Sequence, residues 1–217
     1  MPYRLPKEIK IGVLNGSNND FDRAVMKGKK NVPVSLDIKS SGNIFLSASE
    51  DELSGNDLNN FLLSHIFNCF NAFPLGSLKI HLITNSPEIE YYHLQNELND
   101  SCSSDLFCIY DNFDILDDFK NIICKDTIRK FTSKCNDFYA LRAVDTTEKM
   151  NLIIVKGLNG AACYDLERSL DTLECLSGQY GHKCGIRFLI LEDKSNNEHD
   201  TYTKQLGRCY YNRKIAN

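Results

Sequence analysis

Several groups of side chains in this chain have the types and spacing to do chemistry. His182, Lys183 and Cys184 set an imidazole two residues from a thiol, a pair that serves nucleophilic catalysis when the base takes the thiol proton, but no orienting acid accompanies them. Asp111, Asp114, Asp117 and Asp118 stand three or four residues apart, as in a divalent-ion or acid–base cluster. The same spacing describes the solvated, negatively charged start of a helix, which the helix dipole favours, and that is the reading adopted. Lys156 and Gly157 close an apolar run. A lysine there can meet an anion at the carboxyl edge of a sheet, or simply point to water from a loop, and the second reading is the simpler.

Metal and redox chemistry find little support. The 9 cysteines, at 69, 102, 108, 124, 135, 163, 175, 184 and 209, are odd in number and contain no Cys-x-x-Cys pair. Cys69 and Cys175 fall inside apolar periodic stretches, where a free thiol acts as a small buried hydrophobe in a reducing compartment. None of the 5 histidines has a histidine four residues away, so no metal site is expected. His65 lies on an apolar helical stripe and reads as a core histidine, while His81 alternates with Ile80 and Leu82 on a strand.

The elements that must position these groups alternate between two periods. Ile9–Leu14, Val32–Ile38 and Ile44–Leu46 read as strands separated by Gly, Asn and Ser-rich turns. Leu58, Phe61, Leu62, His65, Ile66, Cys69 and Phe70 form a helical stripe, with Asp57 as its expected N-cap. Leu78–Thr84 is an apolar strand, followed by a helix over 88–98 and a brief strand over 106–110. The spacing predicts one long helix over 113–141, and the unbroken run Leu152–Val155 predicts a strand covered on both faces. A helix over 164–176 and a last core strand over 186–191 follow. Strands alternating with helices imply an α/β fold: a three-layer α/β/α sandwich with a mostly parallel sheet.

With 217 residues, 42% of them hydrophobic, the chain reads as a single domain able to bury a core without disulfides or metals. Its net charge of −4 is the wrong sign for a protein that grips nucleic acid by itself. A local exception is the polar tail over 194–217, read as loosely packed, in which Lys204, Arg208, Arg213 and Lys214 alternate with Tyr202, Tyr210 and Tyr211. Cations and aromatics so mixed suit single-stranded nucleic acid, and suit a docking tail equally well. No window has the roughly 18 apolar residues of a membrane span, and a soluble, cytoplasmic chain is expected.

The succession of Ile44–Leu46, a loop, the helix opening Leu58-Asn59-Asn60, and Leu78–Ile83 resembles the core of FtsK/SpoIIIE-like P-loop ATPases of the FtsK-HerA group. The resemblance extends through 113–141, Leu152–Val155, 164–176 and Gly185–Ile190, roughly Ile9 to Asp193. It implies a P-loop NTPase-like core. A phosphate loop needs glycines, a lysine and a Ser or Thr, because backbone N–H groups and the ammonium hold the phosphates while the hydroxyl ligates magnesium. Here the loop Ser47–Asp57 holds one glycine, no lysine and the consecutive carboxylates Glu50, Asp51 and Glu52, with Ser54, Gly55 and Asn56 at the degenerate phosphate-loop position. After Val155, where the family's magnesium-holding acids belong, stand Lys156 and Gly157.

The resemblance therefore implies a catalytically inactive domain, a scaffold or interaction module of a DNA-translocase or secretion-type ATPase assembly. Its partners would be other ATPase domains or subunits, with nucleic acid reached through the assembly and no cofactor of its own. An active ATPase with a shared or non-standard site, using ATP and magnesium, is the alternative. A nucleic-acid-binding module built on the tail, through Lys204, Arg208, Tyr210, Tyr211, Arg213 and Lys214, is the second.

Overall fold

The computed structural model describes residues 4–14, 32–38, 44–48, 55–102, 105–157, 166–193 and 211–214. Its centre is a six-stranded sheet built from β3 (Ile44–Ala48), β4 (Leu78–Thr84), β5 (Phe107–Tyr110), β6 (Met150–Lys156), β7 (Ile186–Asp193) and β8 (Tyr211–Lys214). The order is β5-β4-β6-β7-β3-β8, and every pairing is parallel. The first two strands lie outside this sheet: β1 (Glu8–Leu14) and β2 (Val32–Asp37) form a separate antiparallel pair.

Parallel neighbours cannot be joined by tight turns, so the connections are helical crossovers that cover both faces. One face packs on α1 (Gly55–Ala72) and α2 (Ile89–Cys102), through Leu62, Ile66, Cys69 and Tyr91 against Leu78, Ile80, Leu82, Leu152 and Ile154. The other packs Ile83, Ile153, Val155, Phe188 and Ile190 on Leu116, Phe119 and Cys124, and on Leu173 and Leu176 of α6 (Leu166–Ser177). The alternation of partners along β6 matches its sequence, because successive side chains point to opposite faces and both faces are apolar.

Two expectations are corrected. Gly55 opens α1, three residues earlier than expected, so Asp57 lies inside the first turn rather than capping it. The helix expected over 113–141 is broken. It comprises α3 (Ile115–Asp118), a π-helical turn (Phe119–Cys124) and α4 (Lys125–Arg129), and then, after a loop, a separate α5 (Phe138–Val144). The drift of its apolar stripe was the sign of this: a π turn shifts the buried face, and Asp137 then restarts the helix by accepting the Ala140 amide at 2.8 Å. A short α7 (Gln179–Lys183) also lies between α6 and β7.

The hairpin is tied to the sheet by a buried cation. Arg187 on β7 is 1% exposed and donates to the carbonyls of Ile186 and Ile38 and to the Tyr139 hydroxyl, which itself donates to Ile38 O. Ile38 lies one residue beyond β2, so Arg187 joins β7, α5 and the hairpin at one point.

Gly185 turns α7 into β7 with φ +77°, and a Cβ there would lie 2.5 Å from Cγ of the buried Phe138. Left-handed backbone and a core ring without room to retreat act together. Gly185→Ala is expected to cost about 2–4 kcal/mol, read as a lower urea midpoint with an unchanged slope.

Candidate functional site

In open α/β sheets, ligands settle beyond the carboxyl ends of strands whose following helices leave to opposite faces. Here that description fits β4 and β6, the first continuing into α2 on one face and the second into α6 on the other. Their last residues, Thr84 and Lys156, are register partners. Gly157 turns the chain away at φ +77°, where an added Cβ would lie 3.2 Å from Asn85 Oδ1.

Lys156 does not point to water, which corrects the solvated-loop reading. Its ammonium donates to Asn59 Oδ1 at 2.5 Å, in the first turns of α1, and to the Tyr91 hydroxyl at 3.3 Å, near the start of α2. The Tyr91 hydroxyl in turn donates to Asn59 Oδ1 at 2.6 Å, and the ammonium sits 5.5 Å from the centre of the Tyr91 ring. Burial lowers the proton affinity of Lys156, with Glu88 partly restoring it, and burial together with Glu88 and Glu90 raises that of Tyr91. Beside the triad lies a cavity of about 330 Å³ lined by Asn59, Asn60, Leu63, Glu88, Glu90 and Tyr91.

The described part of this edge carries one ammonium and two carboxylates. An ammonium donates hydrogen bonds and cannot ligate magnesium, and two carboxylates on the cavity wall repel a polyphosphate. Of the phosphate-loop positions, Ser54 lies outside the described residues, while Gly55 and Asn56 form the start of α1. Lys204, Arg208 and Tyr210 also lie outside them; Tyr211, Arg213 and Lys214 belong to β8, which pairs with β3 at one edge of the sheet. Asn59, Glu88, Glu90 and Tyr91 were missed in the sequence. The signal was their place in the first helical turns following β3 and β4, which a parallel sheet brings to its carboxyl edge.

The other constellations take structural roles. Asp117 accepts from the Thr172 hydroxyl at 2.7 Å and pairs with Arg168 at 2.5 Å, so the acidic helix start is partly an anchor for α6 rather than wholly solvated. His182 and Lys183 end α7 and Cys184 caps it. The His182 ring lies 5.6 Å from Tyr139, whereas the Cys184 thiol donates to the Cys124 carbonyl at 3.8 Å. Cys69 and Cys175 are free thiols, the first fully buried and the second half-buried.

His65 and His81 are core residues. His65 is buried against Phe61 and accepts from the Cys69 thiol at 3.5 Å. His81 Nε2 donates to Asn151 Oδ1 at 3.0 Å, which leaves Nδ1 to accept from the Tyr110 hydroxyl at 3.2 Å, with the Phe119 ring of the π turn at 4.6 Å. That arrangement suits a neutral imidazole.

No family model matches this chain, and no curated protein matches it. Solved structures do. EssC (ATPases 2 and 3) from Geobacillus thermodenitrificans superposes with a TM-score of 0.62 at 10% identity, over 95% of this chain and 38% of that one. The cytoplasmic domain of EssC gives 0.61 at 10% identity, over 97% and 37%. The cytoplasmic domain of the Thermomonospora curvata type VII secretion ATPase EccC gives 0.52 at 14% identity, over 92% and 21%. The chain spans less than two fifths of the length of these solved chains. Its fold is that of the FtsK/SpoIIIE-like P-loop ATPase domains. Among the described residues, no helix is long and apolar enough to cross a membrane.

Burial lowers both His65 and His81 to about 4, from 6.5. The unfolded chain therefore binds protons that the native state refuses between those values. Stability is full above about pH 6.5 and falls as pH drops towards 4, by roughly 3 kcal/mol for each histidine. Urea unfolding between pH 7.5 and 4.5 is expected to show this loss, reduced by about half in His81→Gln if the fold is retained.

Proposed function

We propose that this chain is a non-hydrolysing FtsK/SpoIIIE-like domain that serves as a scaffold or interaction module in a secretion-type ATPase assembly. The observation that carries this reading is Lys156. It stands at the end of β6, where the family resemblance calls for the acids that hold magnesium, and its ammonium is turned onto α1 and α2. A P-loop ATPase places a hydrated divalent cation and two or three phosphates at this edge. Here the edge carries a fixed ammonium, the carboxylates Glu88 and Glu90, and a preceding loop without lysine.

The secretion-type assignment is supported by the company the fold keeps. The solved chains that share it include ATPases 2 and 3 of EssC and the cytoplasmic domain of a type VII secretion ATPase, and each is more than twice the length this chain covers. A domain kept in such an arrangement after losing its chemistry retains the surfaces that its neighbours pack on. Its partners are then other ATPase domains of the same assembly, on the cytoplasmic side, and it needs neither ATP nor magnesium to fold.

Calorimetric titration with ATP and magnesium tests this reading, alongside thermal unfolding at the same concentrations. No saturable heat and no shift in the unfolding midpoint are expected up to millimolar nucleotide. A ligand at 100 times its Kd would add about 2.7 kcal/mol, a rise of several degrees for a chain of this size. Saturable micromolar binding would overturn the proposal in favour of an active ATPase with an unusual site.

A further inference from the structure

The geometry points to Lys156 as a built-in cation that occupies the crevice of its own domain and clamps α1 to α2, so that the crevice is closed by a side chain of this chain rather than by a dissociable ligand. This rests on the non-hydrolysing reading in one respect: it takes the crevice to be free of nucleotide.

Three independent features support it. First, the contacts close on themselves. Lys156 reaches Asn59 and Tyr91, and those two hydrogen-bond each other, so one ammonium from β6 links the first turns of both helices on that face. Second, the backbone is set for it. Lys156 pairs in register with Thr84, the last residue before the loop into α2, and Gly157 beside it adopts a positive φ of +77°, so the side chain leaves from the carboxyl end of the β4–β6 pair. Third, burial disfavours the charged ammonium, and its neighbours offset part of that cost. Tyr91 presents its ring face at 5.5 Å and Glu88 acts favourably on the ammonium, while Lys156 itself is half-buried. A desolvated ammonium is retained only where such partners compensate it. The ammonium is carried by β6 itself, so this hydrogen-bonded link does not depend on a dissociable ligand.

The test is a double-mutant cycle on the full chain with Lys156→Met, Asn59→Leu and the pair, and with Lys156→Arg as the conservative variant. Lys156→Met keeps the apolar stem and removes only the ammonium. It is expected to lower the unfolding midpoint by roughly 3–6 °C. Amide exchange should quicken about tenfold in the first turns of α1 and α2, and stay unchanged in α6. Asn59→Leu should loosen the same turns, the double variant should be little worse than the more damaging single one, and Lys156→Arg should retain most of the protection. Additive losses in the double variant, exchange in α6 rising equally, or a Met variant matching the parent would each overturn the clamp. Should Lys156→Met fail to fold, Asn59→Leu and Lys156→Arg carry the same test through local exchange. The outcomes separate the two proposals: nucleotide binding by the parent protein overturns the proposed function and with it the closed crevice, whereas an additive cycle in a parent that binds no nucleotide overturns the clamp and leaves the proposed function.

Discussion

Met150, Leu152, Ile153, Ile154 and Val155 of β6 are all fully buried, and this two-sided burial is the constraint from which the architecture follows. A strand with no wet face must lie inside a sheet and beneath helices on both sides. Parallel pairing with β4 and β7 satisfies the first demand and helical crossovers the second. Each buried aliphatic side chain contributes about 1.5–3 kcal/mol relative to exposure, so the centre of the sheet is where sequence change is least tolerated. Because every strand of the six-stranded sheet runs the same way, the loops that follow those strands gather at one edge. The candidate site is a consequence of that gathering.

The polar groups inside this core show what apolar packing alone leaves unsettled. Arg187 is held by carbonyls and a tyrosine hydroxyl, contacts that fix where the β1–β2 hairpin and α5 meet β7. His81 ties β4 to β5 and β6 across 29 and 70 residues of sequence through Tyr110 and Asn151. Directional bonds between buried groups are costly to break, because the orphaned partner cannot turn to water. They give a hydrophobic sandwich one arrangement of its parts instead of several of similar energy.

The same logic separates the fold from its chemistry at the carboxyl edge. A P-loop fold can be retained by its core while the residues at the strand ends change, since those residues contribute little to burying the sheet. Lys156 illustrates the substitution. Its neighbours are an amide, a phenol and a carboxylate, a set that accommodates an ammonium. The fold is shared with secretion ATPase domains, whereas the side chains at this edge are the chain's own.

The apolar periods of the sequence by themselves determined the layers: the strands 78–84 and 186–191, the helix through Leu62 and Ile66, and the two-sided burial of Leu152–Val155 all follow from local pattern, because alternation and three-to-four spacing each admit one buried arrangement. Local pattern showed only a drifting apolar stripe where the break at Phe119–Cys124 lies, since the extra residue in that turn re-aims the helix without changing its composition, and it did not show that β1 and β2 pair apart from the main sheet. Strand order, and hence the meeting of Asn59, Tyr91 and Lys156, was decided only by tertiary structure. Residues 97 and 65 positions apart become hydrogen-bonded partners because parallel pairing aligns strand ends, and that alignment is a property of the assembled sheet. The missing lysine in 47–57 was legible, since it is a fact of residue type. What replaced it at the crevice was not, since that depends on where a flexible side chain finds its partners.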